Sequence, residues 1–215
     1  MGKRLRLALF GSFYRGYYVL YELLNGELKD IVEVVGVASD DPKQFFVSPS
    51  KRVWQYPHTR EEETLVPDSA RYAGLEVFLG RVKTDEFYAI YEQSWKPNLC
   101  ISATFGQLFN ERIFDYPDIG FLNLHPSFDD TWPSYSGGNP FSAMISDRKP
   151  HCVITIHRVN QKFDEGELVA RTRRIAIPNV ATVTDMHKIT SPIAADLVKD
   201  VIKNYLSTGK LVMIN

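Results

Sequence analysis

The sequence of 215 residues is short of the features that mark specialised chains. It has only two cysteines, Cys100 and Cys152, each inside an apolar run that reads as a buried strand and neither near a Cys/His cluster. That argues against a disulfide scaffold or a zinc knuckle and fits a reducing cytoplasm. It also lacks an excess of either charge: 25 Lys and Arg against 26 Asp and Glu leave a net charge of -1. No general positive field is therefore expected to hold a nucleic acid. No apolar run approaches the roughly 18 residues of a spanning helix. Behind Lys3, Arg4 and Arg6 only Leu7 to Phe10 are consecutively apolar, too few for a secretory signal, and Arg6 stands where a myristoylation signal has Ser or Thr. The expectation is a cytoplasmic protein with no membrane partner. Without a repeat or an interdomain linker, and with 44% hydrophobic and 24% charged residues, a single globular domain over residues 1–215 is expected.

What is present is a regular alternation of strand and helix. Leu5 to Phe10 reads as a strand, Gly11-Ser12 as a turn, and Tyr14 to Leu24 as a helix stopped by Asn25-Gly26. Ile31 to Ala38 is apolar almost throughout, as a strand covered on both faces must be. From Asp40 to Ala73 the periodicity breaks. Pro42, Pro49, Pro57 and Pro67, the acidic run Glu61 to Glu63 and the aromatics Trp54 and Tyr56 read as a long irregular excursion. Regularity resumes with a strand at Leu75 to Leu79 and a helix from Thr84 to Trp95 with Phe87, Ile90, Tyr91 and Ser94 facing inward. Strands follow at Leu99 to Phe105 and Ile119 to His125, then a loop from Pro126 to Pro140 and a short helix, Phe141 to Ser146. Val153 to Val159 and Glu167 to Ile177 read as antiparallel strands, and Ser191-Pro192 caps a final helix running to about Leu206. The order predicts an α/β fold: a Rossmann-like, mainly parallel sheet with helices on both faces, then C-terminal antiparallel strands and a helix.

Chemistry concentrates in Phe121-Leu122-Asn123-Leu124-His125-Pro126-Ser127. Residues two apart on a strand share a face, so Asn123 and His125 project side by side, and Pro126 is expected to end the strand just beyond them. The carboxyl ends of strands in an open α/β sheet form the binding crevice, which places this pair where ligands sit. A core histidine satisfied by an amide would leave the same trace. Downstream lie the Gly137-Gly138-Asn139-Pro140 turn and the strand Val153-Ile154-Thr155-Ile156-His157, followed by Asp164-Glu165-Gly166. No close ligand spacing joins His125, His151 and His157, so no metal is expected. His58 and His187 read as surface or helix-end residues, and Cys100 as a small buried apolar residue.

Taken together, the Asn-x-His strand end, the Gly-Gly-Asn-Pro turn, the Thr-Ile-His strand leading to Asp-x-Gly, and the upstream run Pro97 to Gln107 resemble the folate-dependent formyltransferase family. In character the chain is closest to the sugar-nucleotide N-formyltransferases. The resemblance implies transfer of a formyl group from 10-formyltetrahydrofolate to an amine. Asn123, His125 and Asp164 fall on the family's catalytic trio. Ala103, Thr104, Phe105, Gly106 and Gln107, with Asn160 and Phe163, fall on its folate pocket. It further implies a small-molecule amine as partner, here a nucleotide-linked amino sugar, with a homodimer left open. Glycinamide ribonucleotide or an ornithine-type amine is the alternative acceptor, and a non-catalytic folate- or nucleotide-binding module the alternative class.

The chain departs from the family in two places. Relatives run from the His-Pro-Ser segment to a Tyr-Arg-Gly turn through a short Leu-Leu-Pro stretch. Here the stretch Phe128 to Gly137 is longer and has Ser136 where Arg is common, while Pro150-His151-Cys152 replaces a small Thr-Gly step. The turn after the first strand, Gly11-Ser12-Phe13-Tyr14-Arg15-Gly16, is bulky where the purine enzyme of the family has glycines for a phosphate, although a phosphate could still reach Arg15.

Overall fold

Leu5–Gly11 (β1) turns Leu7 and Leu9 to one face and Ala8 and Phe10 to the other, and all four are fully buried. Such a strand belongs at the centre of a sheet covered on both sides. The computed structural model, which describes residues 4–41, 45–48, 51–52, 57–128, 131–162 and 164–214, places it there. In chain order the elements are β1, Phe13–Asn25 (α1), Val32–Ala38 (β2), the small ribbon Phe45–Ser48 (β3) and Lys51–Arg52 (β4), and Arg60–Tyr72 (α2). Then come Val77–Phe78 (β5), Asp85–Ala89 (α3) continued by a π-helical segment Ile90–Trp95, Leu99–Ala103 (β6), Glu111–Phe114 (α4) and Gly120–Ser127 (β7). Pro140–Ser146 (α5), His151–Arg158 (β8), Leu168–Arg171 (β9), Ile175–Ala176 (β10) and Val183–Thr208 (α6) complete the order.

Among the described residues the main sheet runs β10-β8-β7-β6-β1-β2-β5, with β9 also paired to β8. Pairings from β5 to β7 are parallel, and β8 is antiparallel to each of its neighbours. This is the Rossmann-like, mainly parallel arrangement that the element order implies. One face is aliphatic: Leu7, Leu9, Ile101, Leu122 and Ile154 pack under α1 and α6 through Val19, Leu20, Leu23, Val198 and Ile202. The other is aromatic: Phe10 and Phe121 meet Phe87, Tyr91 and Trp95. α1 approaches β1 so closely that a Cβ on Gly16 would lie 2.7 Å from the Gly11 carbonyl carbon, so only glycine fits there.

Several elements differ from expectation, each for a visible reason. The 40–73 stretch is not wholly irregular, because Thr59 and Glu62 form a reciprocal capping box that starts α2 and the acidic run fills its first turn, favourable to the helix dipole. Pro67 sits inside that helix and is buried with Val66 and Ala70. Trp54 and Tyr56 lie outside the described residues. The last helix starts not at Ser191-Pro192 but at Thr182, whose side chain accepts from Asp185 N in a second capping box. Pro192 lies inside the helix, where the burial of Met186, Thr190, Ala194 and Val198 against the sheet and α1 outweighs the loss of one backbone donor. Glu167 to Ile177 is two short strands rather than one. In the segment after α3, Lys96 N bonds Tyr91 O, the i+5 closure of a π-turn. The buried face there recurs every fourth residue, at Phe87, Tyr91 and Trp95, leaving Ser94 exposed. Beyond α6 the chain turns back, and Ile214 N donates to Leu168 O on β9. Among the described residues no helix is long and apolar enough to cross a membrane.

Candidate active site

The site grows out of the parity of β7. Phe121 faces the aromatic cluster, and Asn123 and His125 continue that face toward the carboxyl end of the sheet. The antiparallel register of β7 and β8 sets His157 opposite Asn123 and Thr155 opposite His125, while parallel β6 places Ser102 on the other side of Asn123. Contrary to expectation, Pro126 does not end the strand: β7 continues through Ser127, with Pro126 paired to Ile154. The pairing with β6 stops at Leu124, so Pro126 lies where β7 has a neighbour on one side only and a missing N–H is tolerated.

Asp164 comes from the turn that joins β8 to β9, held in the left-handed region at φ 51°. Gly166 makes that turn possible, since a Cβ there would sit 1.7 Å from Arg158 O. The Asp164 carboxylate accepts from Asn123 Nδ2 at 3.3 Å and from Gly137 N at 3.1 Å. It lies 3.5 Å from His125 Nδ1 and 3.6 Å from His157 Nε2. All three ionisable groups are buried. Asn123 Nδ2 also lies 3.1 Å from His157 Nε2, while His157 Nδ1 faces Arg158 O at 3.2 Å. His125 Nε2 donates to Tyr135 O at 2.9 Å.

Burial alone would raise the Asp164 carboxyl, but the His157 contact, the His125 charge and the Gly137 amide together hold it below the usual carboxylate range. Burial pushes His125 down, opposed by Asp164 and the Tyr135 carbonyl. The pair is thus a buried imidazole and a carboxylate that stays ionised, sharing one proton path.

This cluster lines a cavity of about 300 Å³, together with Thr104, Phe105, Gly106, Gln107 and Asn160. Ala103 does not line it: its side chain is buried in the aliphatic core and its carbonyl accepts from Ser12 N. Gln107 borders the cavity, yet its amide is committed to Gly80 O and Val82 N, pinning the loop after β5. Phe163 lies outside the described residues. Thr104 has φ 59°, a conformation costly for a branched residue, at the turn that leaves β6.

The lining also includes Asp40, Arg15 and His187, none of them among the catalytic or folate-pocket residues expected from sequence. Asp40, just past β2, accepts from Ser12 Oγ at 2.9 Å and Gly106 N at 2.8 Å, tying the turn after β1 to the loop after β6. Arg15 is buried on α1 and reaches Thr104 and Thr190. His187, expected at the surface or a helix end, lies near the start of α6 but is buried, with its ring edge-on to Phe13 and Phe141, and burial holds it well below its ordinary value. The polar pair Ser39-Asp40 just past an apolar strand was the available signal for Asp40; the wrong start assigned to α6 hid His187. Burial raises the Cys100 and Cys152 thiols to about 12, so neither is a thiolate nucleophile. Among the described residues no group of three or more His, Cys, Asp or Glu side chains is arranged for a metal.

Comparison with known proteins finds relatives for the chain. A family model described as formyl transferase matches residues 5–201. Methionyl-tRNA formyltransferase of Bacillus licheniformis is 28% identical over 188 residues, covering 84% of this chain and 52% of the relative. That of Bacillus pumilus is 31% identical over 112 residues, covering 52% and 34%. The chain spans about half or less of the length of the curated relatives it matches. Among solved structures, glycinamide ribonucleotide transformylase 1 from Symbiobacterium toebii superposes with a TM-score of 0.72 at 17% identity, covering 100% of this chain and 93% of that one. A formyltetrahydrofolate deformylase from Pseudomonas syringae pv. tomato gives 0.64 at 15% identity, covering 95% and 61%. The solved structures speak for the fold, and the family model, running through nearly the whole sheet and its site, for more: this chain belongs to the formyl transferase family.

Proposed function

We propose that this chain transfers a formyl group from 10-formyltetrahydrofolate to the primary amine of a small molecule, with Asn123, His125 and Asp164 as its catalytic residues. What supports this is the meeting of those three side chains on the wall of one cavity that Thr104 to Gln107 and Asn160 also line. The cavity suits a flat, hydrogen-bonding ring: loop backbone from two sides borders it, with Phe109 and Val159 as apolar walls. When bound, the folate supplies the formyl carbon, and its N10 departs as the amine nitrogen takes its place. Asn123 Nδ2 donates to the formyl oxygen as that oxygen gains charge, exchanging its bond to Asp164, which keeps the Gly137 amide and His125. One such donor is worth roughly 2.7 to 4 kcal/mol of barrier. Asp164, ionised because its surroundings favour the carboxylate, accepts the proton that the attacking amine loses, directly or through water. Asp164 passes that proton to the facing His125 Nδ1, and the imidazolium so formed delivers it to the departing N10, so the one proton the amine loses is the one the leaving nitrogen gains.

We assign the amine to an amino sugar carried on a nucleotide. The cationic Arg15 on the cavity wall, beside the start of α1, favours an acceptor with an anionic group such as a diphosphate. The test is an assay of purified protein with 10-formyltetrahydrofolate against amino-sugar nucleotides, glycinamide ribonucleotide and ornithine derivatives. A formylated sugar nucleotide is expected. Formylation of another amine alone overturns the sugar assignment, and folate binding without formylation of any overturns catalysis in favour of a binding module.

A further inference from the structure

The loop at residues 131–137 touches His125, His157 and Asp164. Trp132 Nε1 donates to Gly166 O at 2.9 Å and its ring lies 5.0 Å from that of His157. Tyr135 O receives His125 Nε2, and Gly137 N donates to Asp164. Of these contacts the one to His125 depends on an unusual backbone: Tyr135 has φ 53°, a left-handed conformation that a bulky residue keeps only when its surroundings hold it. The Tyr135 ring packs against the aliphatic core and is tethered at its far end. Tyr135 Oη donates to Asp147 Oδ2 at 2.8 Å, and Asp147 is the residue that ends α5.

We propose that Tyr135 and Asp147 act together as positioning residues: the hydroxyl-to-carboxylate tether to α5 keeps Tyr135 in its left-handed conformation and so aims its carbonyl at His125 Nε2, fixing which ring nitrogen carries the proton. With Nε2–H committed to that carbonyl, Nδ1 is the nitrogen left facing Asp164, and exchange between them needs no turn of the ring. A loosened Tyr135 lets the imidazole rotate and divides its proton between two tautomers. Neither residue touches the reacting atoms; their effect reaches the chemistry through the orientation of His125.

The groups facing His125 are Asp164 from the turn after β8, His157 and Thr155 from β8, Arg15 from α1 and the Tyr135 carbonyl. Asp164 and the carbonyl favour the protonated ring, whereas His157 and Arg15 oppose it. Freeing the carbonyl therefore removes a contribution that raises the pKa. The test is a titration of the full-length chain by nitrogen-15 NMR, reading the His125 ring in wild type, Tyr135→Phe, Asp147→Ala and Asp147→Asn. Tyr135→Phe and Asp147→Ala are expected to move the His125 titration to lower pH and mix its tautomers. Asp147→Asn, which keeps an acceptor for the hydroxyl, is expected to stay near wild type. In formyl transfer the first two variants should each lower kcat about fivefold with KM little changed, in keeping with one lost hydrogen bond, and combining them should add little more. Wild-type titration and tautomer in either Tyr135→Phe or Asp147→Ala overturns the inference, as does an Asp147→Asn that behaves like Asp147→Ala. The turnover arm rests on the proposed formyl transfer, but the NMR arm needs no substrate. An inactive wild type thus removes the functional reading alone, and an unmoved His125 removes the positioning role alone.

Discussion

Half of the site is carried on strands and half on loops, and the two halves are built differently. Asn123, His125 and His157 are fixed by the pairing of β7 with β8, a ladder inside the sheet, and their mutual positions follow from register. Asp164, Gly137 and Tyr135 are fixed by turns in which Asp164 and Tyr135 adopt positive φ and Gly137 reaches φ 120°. Groups on the ladder are placed at little cost beyond that of forming the sheet, whereas groups on the turns stay in place only while hydrogen bonds hold strained backbone. Substitutions on the strands should therefore change chemistry with modest effect on order, and those on the loops should change both.

The largest expected effect breaks the strand-borne half. His125→Ala and Asn123→Ala should each lower single-turnover formyl transfer about a hundredfold to a thousandfold, with folate affinity nearly unchanged. Because both groups are proposed to act on one intermediate, the double variant should fall well short of the product of the two losses. Near-normal transfer by either single variant would remove its catalytic role. The next tests the loop-borne half: Gly166→Ala forces a Cβ against Arg158 O, and thermal denaturation should show a loss of about 2 kcal/mol along with weakened turnover. An Ala variant as stable as wild type would mean that the turn has a second, unstrained arrangement.

Acid separates the halves more gently. His187 and His125 both have folded values below the ordinary 6.5, so the unfolded chain takes up protons that the folded one refuses. Stability should then decline as pH falls below 6.5, with His187→Gln flattening that decline in melting curves recorded between about pH 7 and pH 5. Asp164, held below 3.8, contributes stability that is present above that value and lost only in stronger acid. An unchanged slope in His187→Gln would count against burial of the neutral ring. The smallest effect belongs to Trp132→Phe, which keeps an aromatic ring by His157 but loses the bond to Gly166 O. About 1 kcal/mol or less is expected, read by chemical denaturation.

The same division decides what the sequence could reveal. Strand parity placed Asn123 and His125 on one face, and the element order predicted the sheet, because side-chain periodicity records which way a strand faces. Tyr135 O and Gly137 N left no trace, since a backbone group has no residue type of its own. Ala103 was misplaced for a related reason: it stands next to the lining residues in sequence, yet parity turns its side chain into the aliphatic core. α2 was hidden by prolines read as breaks and the start of α6 by Pro192 read as a first helical residue, although each helix has its capping box written in Thr59-x-x-Glu62 and Thr182-x-x-Asp185.

The return of the chain to β9 has a consequence for how the molecule behaves in company. β9 is paired to β8 on one side, and a strand left open on its other side, next to the apolar groove of Val169, Leu197 and Val201, would be a template for another chain's backbone. Ile214 N takes up Leu168 O, and Leu211, Val212 and Ile214 lie along that groove. The segment thus satisfies with the chain's own backbone one of the acceptors that β9 turns away from β8, so part of an otherwise open strand edge is closed by a stretch far from the chemistry.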